Sequence, residues 1–283
     1  MMSLQIEGVS RKFHTRYKVT SALEQVSLQV KPGEFVCIVG PSGCGKTTLL
    51  NIVAGLEKAS EGRVLLNGRE VKEAGPDRAV MFQESALFPW LKVIDNVEFG
   101  MKMVGIPKEE RHKKALQYLQ MVNLVDYQNS FIHELSGGMK QRVALTRALT
   151  LDSQVLLMDE PFVALDSQTK SMLQAELVNI WKETKKTILF ITHSIEEAVL
   201  LGDRVITMSS NPGKISKEFQ IHLDRPRDPL NHAFAVMVAD VTRNIREEVE
   251  KVGQIAKMEN KAVECHKKSF ILRHAHTRVG TGL

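Results

Sequence analysis

Hydrophobic and polar positions alternate through the first part of the chain. Val26, Leu28 and Val30 take one side while Ser27, Gln29 and Lys31 take the other, the pattern of a strand buried on one face. Leu4 and Ile6 repeat it, as do Val64 and Leu66 ahead of the turn-forming pair Asn67-Gly68. Among these lies a segment of another kind. Phe35-Val36-Cys37-Ile38-Val39 is apolar at every position, which predicts a strand covered on both faces. It runs into Gly40 and a glycine-rich turn, after which Leu49, Val53 and Leu56 recur at helical spacing.

From about 85 to 151 the pattern is mainly helical. Pro107 followed by Lys108, Glu109 and Glu110 marks a helix start, with Leu116, Leu119 and Val122 along one face. Two more buried-type strands follow, Val155–Met158 and Thr187–Ile191, and both end in polar residues. Apolar strands alternating with helices predict an α/β fold with a mostly parallel sheet, to which the early antiparallel strands and the helical block are additions. Arg225-Pro226-Arg227-Asp228-Pro229 reads as a linker, and beyond it Val238, Val241, Ile245, Val249, Val252 and Ile255 mark an amphipathic helix. The expected division is a main domain over 1–230 with the block at 85–151 inserted, a helix over 231–258, and a basic, flexible tail over 259–283 that has no period.

Composition narrows the class. A chain of 283 residues with 43% hydrophobic and 25% charged residues has the makings of a packed core, which excludes a largely disordered protein. No run of about 18 apolar residues occurs, so no bilayer-spanning segment is expected, and the N-terminus lacks the pattern of a secretory signal. Three cysteines are too few for a disulfide framework and point to a reducing, cytosolic setting. The net charge of +5 is unevenly placed: the tail from Glu259 holds five basic and two acidic residues, a net +3. A basic end of this kind is no argument for a nucleic-acid-binding domain. Cys265, His266, His274 and His276 in the tail lack the spacing of a closed metal site.

The candidate chemistry sits at the strand ends. Gly40-Pro41-Ser42-Gly43-Cys44-Gly45-Lys46-Thr47 matches G-x-x-x-x-G-K-[ST] between a strand and a helix. Its glycines let backbone N–H groups converge on phosphate oxygens at a helix N-terminus, Lys46 reaches the β- and γ-phosphates, and the Thr47 hydroxyl ligates Mg²⁺. Cys44 in this loop is expected to face solvent and to be open to modification. Asp159 and Glu160 close another apolar strand: Asp159 is placed for the Mg²⁺ shell, Glu160 to orient an attacking water. Thr192-His193 closes the next one, with His193 as a γ-phosphate sensor. Leu135-Ser136-Gly137-Gly138-Met139 opens a further helix and offers a second anion site. One ATP does not need both sites from one chain, but a two-fold pair of chains does.

With these motifs in order, the sequence resembles the ATP-binding cassette (ABC) ATPases over about residues 4–225. The resemblance matches Gly40–Thr48 to the Walker A segment, Gln83 to the Q-loop, Leu135–Arg142 to the signature, Val155–Glu160 to Walker B, Ala164-Leu165-Asp166 to the D-loop and His193 to the switch histidine. It implies a P-loop NTPase core with an antiparallel β subdomain and an inserted α-helical subdomain. It also implies ATP and Mg²⁺ as cofactors, Gln83 as a contact to Mg²⁺ and water, and Ser136 and Gly138 as contacts to the opposing subunit's ATP. An aromatic ring upstream should stack on adenine; Phe13 fits that position, and Tyr17 is the alternative. The segment Ala86–Val93 resembles the version found in importers of nitrate, sulfonates and taurine, with Phe88 and Trp90 exposed in a groove for a membrane subunit.

The implied protein is a homodimeric ATPase on the cytoplasmic face of the inner membrane. It would serve separate permease subunits and, indirectly, a solute-binding protein, with no nucleic acid involved. A soluble ABC ATPase acting on nucleic acid or ribosomes is the alternative, although one cassette without sustained heptads argues against it.

Overall fold

The computed structural model describes residues 4–14, 19–163 and 165–251. Tyr17, Ala164, Val252, Ile255 and the tail 259–283 lie outside them. Strands β1 (Leu4–His14) and β2 (Val19–Val30) pair antiparallel, with β3 (Phe35–Val39) leaving them for a second sheet. After helix α1 (Lys46–Ala54) the chain returns through β4 (Glu61–Leu66) and β5 (Arg69–Glu70), completing an antiparallel sheet in the order β2-β1-β4-β5. The β4–β5 hairpin turns at Asn67 and Gly68, both at positive φ (55° and 75°), as that pair of residues predicts.

The second sheet adds β6 (Arg78–Met81), β7 (Val155–Asp159), β8 (Thr187–Ile191), β9 (Arg204–Met208) and β10 (Ile215–Gln220), in the order β10-β9-β3-β8-β7-β6. Only the edge strand β10 runs antiparallel to its neighbour. β3, β7, β8 and β9 are buried at every position, which is why β3, β7 and β8 carry apolar runs without alternation, while β9 buries Arg204 and Thr207 as well. Phe35, Cys37 and Val39 of β3 face one core, while Val36 and Ile38 face the other, packed with α1 and the antiparallel sheet.

The helical block consists of α2 (Val93–Met103), α3 (Lys108–Met121) and α4 (Gly137–Thr150), with its own core around Val97, Met101, Leu119 and Val143. α3 starts after Pro107 as the sequence predicts. Residues 85–92, which the sequence placed in the helical region, form an irregular segment ahead of α2. Helices α5 (Ser167–Thr184) and α6 (Ile195–Leu201) cover the first face of the large sheet together with α4. A last helix, α7 (232–251), adds Phe234, Met237, Val238, Val241 and Ile245 to that core.

Two sequence expectations need correction. α1 stops at Ala54 because Gly55 turns left-handed (φ 77°) with Glu73 packed so closely that a Cβ would lie 2.3 Å from its carbonyl oxygen. Leu56, expected on the helix, is therefore half exposed. Val249, expected on the buried stripe of the last helix, is 49% exposed, since the helix has passed the core by Ile245.

Candidate functional site

β3, β7 and β8 end side by side at one edge of the large sheet, the carboxyl edge where open α/β sheets bind ligands. β3 passes through Gly40, Pro41, Ser42, Gly43, Cys44 and Gly45 into α1. Gly43 and Gly45 hold φ of 76° and 93°, which side chains other than hydrogen rarely permit. A Cβ at Gly40 would lie 2.8 Å from the Met208 carbonyl oxygen. Lys46 is buried, and its Nζ donates to the carbonyl oxygens of Gly40 (2.8 Å) and Pro41 (3.0 Å), so the ammonium is held inside the loop. Thr47 and Thr48 follow in the first turn of α1, where backbone N–H groups are unpaired within the helix.

Cys44 does not face solvent. It is 1% exposed, with Lys46 Nζ 3.8 Å from its Sγ, and burial pushes the thiol up in pKa against the opposing pull of Lys46. The loop needs a small buried group there, and cysteine fills it as a hydrophobe.

β7 delivers Asp159 to the same edge. The carboxyl is buried, and burial raises its pKa against the Thr47 hydrogen bond and the nearby Lys46 charge. Its Oδ1 is buried without a hydrogen-bond partner. A buried carboxylate oxygen left without a donor, next to a threonine hydroxyl, fits Mg²⁺, a hard cation that takes oxygen ligands. Among the described residues no group of three or more His, Cys, Asp or Glu is placed to hold a metal. A cation held by Thr47 and Asp159 would draw its remaining oxygen ligands from elsewhere, such as a bound phosphate.

Glu160 leaves the strand at φ 45°, a left-handed conformation for a residue with a side chain. Strain of this kind costs on the order of 1–3 kcal/mol and persists where the surroundings enforce it. Here the Glu160 N–H donates to the Ile191 carbonyl oxygen (2.9 Å), and Glu160 Oε2 lies 3.2 Å from His193 Nδ1. Lys46, Asp159, Glu160 and His193 are thus gathered at one strand edge. Gln83 is exposed in the turn after β6, the neighbour of β7.

Sequence reading missed Arg147. From α4 it donates to the carbonyl oxygens of Ser85 (2.9 Å) and Ala86 (2.8 Å), fastening the segment that follows Gln83. Its partners lie about sixty residues earlier, so no local spacing announces it.

Ser136 and Gly138 stand elsewhere, at the head of α4. Ser136 caps that helix by accepting from Met139 N–H (3.3 Å), and a Cβ on Gly138 would lie 2.7 Å from Cγ2 of Thr169 in α5. No hydrogen bond joins this turn to the Gly40–Thr48 loop among the described residues. Phe13 in β1 is 36% exposed, with the Arg11 guanidinium 4.6 Å from its ring centroid.

Of the aromatic pair expected to be exposed, Trp90 is (71%), whereas Phe88 is half-buried. Phe88 packs on Phe99 (4.4 Å between centroids) under the Arg147 guanidinium, so it belongs to the helical block's own packing. No described helix is long and apolar enough to cross a membrane.

The model of a family described as "ABC transporter" matches residues 23–163. A taurine import ATP-binding protein, TauB of Rhizobium johnstonii, is 43% identical over 250 residues, covering 88% of this chain and 95% of that protein. A nitrate import ATP-binding protein, NrtD of Synechocystis, is 44% identical over 236 residues, covering 83% and 89%. Among solved structures, the dimeric post-hydrolysis state of the ATP-binding cassette MJ0796, bound to ADP and Pi, superposes with a TM-score of 0.70 at 32% identity. It covers 78% of this chain and all of the other.

Proposed function

The chain belongs to the ATP-binding subunits of ABC transporters, and from that membership we propose that it powers the import of a small nitrate-, sulfonate- or taurine-like solute through separate permease subunits. It binds and hydrolyses ATP and works as a homodimer. It sits peripherally on the cytoplasmic face of the membrane, and a solute-binding protein delivers cargo to the permease. Trp90, exposed beside the half-buried Phe88, belongs to the surface that meets the permease.

The observation that carries the reading is the gathering of Lys46, Asp159, Glu160 and His193 at the edge where α1 begins. The backbone N–H groups of Gly40–Thr48 bind the phosphates, with Lys46 on the β- and γ-oxygens. Thr47, Asp159 and Gln83 would hold Mg²⁺, which neutralises charge on the phosphate oxygens when bound. Glu160 orients the attacking water and accepts its proton. His193, held at its Nδ1 by Glu160, addresses the γ-phosphate. Phe13 stacks on adenine. Ser136 and Gly138 complete the site of the opposite subunit. Phosphoryl transfer asks for positioning and electrostatics more than covalent help, so loss of Glu160 and loss of Lys46 should differ in kind.

The test is nucleotide titration alongside steady-state phosphate release. Glu160→Gln should bind Mg-ATP as the wild type does while turnover falls by about 10²–10⁴-fold. Lys46→Ala should lose binding and turnover together. Near-normal turnover in Glu160→Gln would move the water-orienting role away from Glu160.

A further inference from the structure

We infer that Glu197 is a positioning residue that sets the His193 turn and ties it to α5; the inference rests on the role given to His193 above. Glu197 is 4% exposed, in the first turn of α6. Ser194 is the N-cap of that helix and Glu197 stands three residues on. A glutamate so placed ordinarily turns back to accept from the cap residue's own N–H.

Here that bond is taken by another group. The Ser194 N–H donates to Thr192 Oγ1 (3.0 Å), while Ser194 Oγ accepts from the Glu197 N–H (3.2 Å). The Glu197 carboxylate is thereby released for other partners. Its Oε2 accepts from the Thr192 hydroxyl. Its Oε1 accepts from Gln174 Nε2 (2.8 Å) and lies 3.1 Å from Lys170 Nζ.

The two residues flanking His193 are therefore fastened, directly or through Thr192, to one buried carboxylate. That carboxylate is in turn fastened to two residues four apart on α5. Burying a carboxylate is costly unless it is paired and hydrogen-bonded, and capping α6 alone would not require it. The partners on α5 identify what the arrangement holds in register. The same helix sets Thr169 beside Gly138, so its first two turns reach the Ser136–Gly138 turn on one side and, through Glu197, the His193 turn on the other. A displacement of α5 would move His193 relative to Glu160. Misplacement by about 1 Å is enough to cost up to about 100-fold in rate.

The experiment is a double-mutant cycle on the full chain, reading phosphate release with Mg-ATP for Thr192→Val, Glu197→Ala, His193→Ala and the two doubles with His193→Ala. Thr192→Val and Glu197→Ala are each expected to lower kcat about 10- to 100-fold. KM for ATP should move less than about threefold in both, as for a group acting through the transition state. In the His193→Ala background neither should lower kcat further. Thr192→Ser, which keeps the hydroxyl, should restore most of the rate. Melting curves accompany every variant, and the near-isosteric Thr192→Val carries the test if Glu197→Ala does not fold.

Losses that multiply in the doubles overturn the inference while leaving His193 in its role. Wild-type turnover in His193→Ala overturns that role, and the positioning of Glu197 with it.

Discussion

Asp159 and Glu160 are neighbours in the chain with opposite surroundings, and the difference sets what each can be asked to do. Asp159 is buried with one oxygen unpaired, so its charge opposes folding unless a cation pairs with it. Burial favours the neutral form and raises the folded-state pKa. The penalty is then fully present above that raised value and fades as pH falls through it toward the unfolded one. Asp159→Asn should therefore raise the melting midpoint of the nucleotide-free chain, by about 2 °C or more, and abolish the further rise that Mg-ATP gives the wild type. Scanning fluorimetry with and without Mg-ATP checks both, and a lowered midpoint without nucleotide would contradict the account. Glu160 keeps contact with solvent and with His193, while its left-handed backbone fixes where it stands. The phosphate loop, Asp159, Glu160 and His193 were legible in the sequence because each sits within a few residues of an apolar strand's end. Arg147 was not, because its partners lie about sixty residues away, and for Glu197 the local spacing marks only a helix cap, while its ties to Lys170 and Gln174 in α5, over twenty residues earlier, leave no pattern.

At the scale of elements, α6 is held at both ends. Its start is the His193 turn, and its end is gripped by Arg227, which is buried and donates to the carbonyl oxygens of Val199 (2.7 Å), Leu200 (3.1 Å) and Gly202 (2.6 Å). It also reaches Leu223 (3.1 Å) and Ile221 (3.4 Å), and burial lowers its pKa to about 10. A guanidinium is suited to this place because the last carbonyls of a helix lack intrahelical partners and carry partial negative charge. Nearby, Arg225 pairs with Asp203 (2.6 Å) and lies over the Trp181 ring. Residues 225–229 read in the sequence as a linker because of their prolines, and nothing local distinguishes a clasp from a spacer. Arg227→Ala leaves buried carbonyls unpaired, at about 1–3 kcal/mol or more in total. For a chain of this size the melting midpoint should drop by roughly 2–12 °C. A drop under about 2 °C would mean that the carbonyls find other donors. The secondary elements themselves were largely legible, since strands buried on both faces and helix starts leave strong patterns. Ends such as Gly55 depend on what packs against them and leave none.

For the whole molecule, the proposed role of the Ser136–Gly138 turn in the opposite subunit's site makes the assembly testable. Ser136 and Gly138 head α4 and make no hydrogen bond to the loop that holds Lys46 among the described residues, so if they bind ATP as proposed, they bind that of a second chain. Sedimentation of Glu160→Gln should show a dimer with Mg-ATP and a largely monomeric chain without it. Ser136→Arg in the same background should stay monomeric, because the arginine occupies the place of the partner's γ-phosphate. A stable Ser136→Arg dimer with Mg-ATP would refute the sandwich arrangement. The position of β3 bears on how such a molecule is made. β3 ends at Val39 but lies between β8 and β9, and β9 is complete only at Met208, about 170 residues later. The antiparallel sheet, by contrast, is complete at Glu70. On a ribosome adding about 5–20 residues per second, the phosphate loop emerges roughly 10–35 s before the strands that shape it. During that interval nucleotide has no formed site to bind and gives the nascent chain no stabilisation. Any product cut short of β9 carries the whole loop sequence without its scaffold.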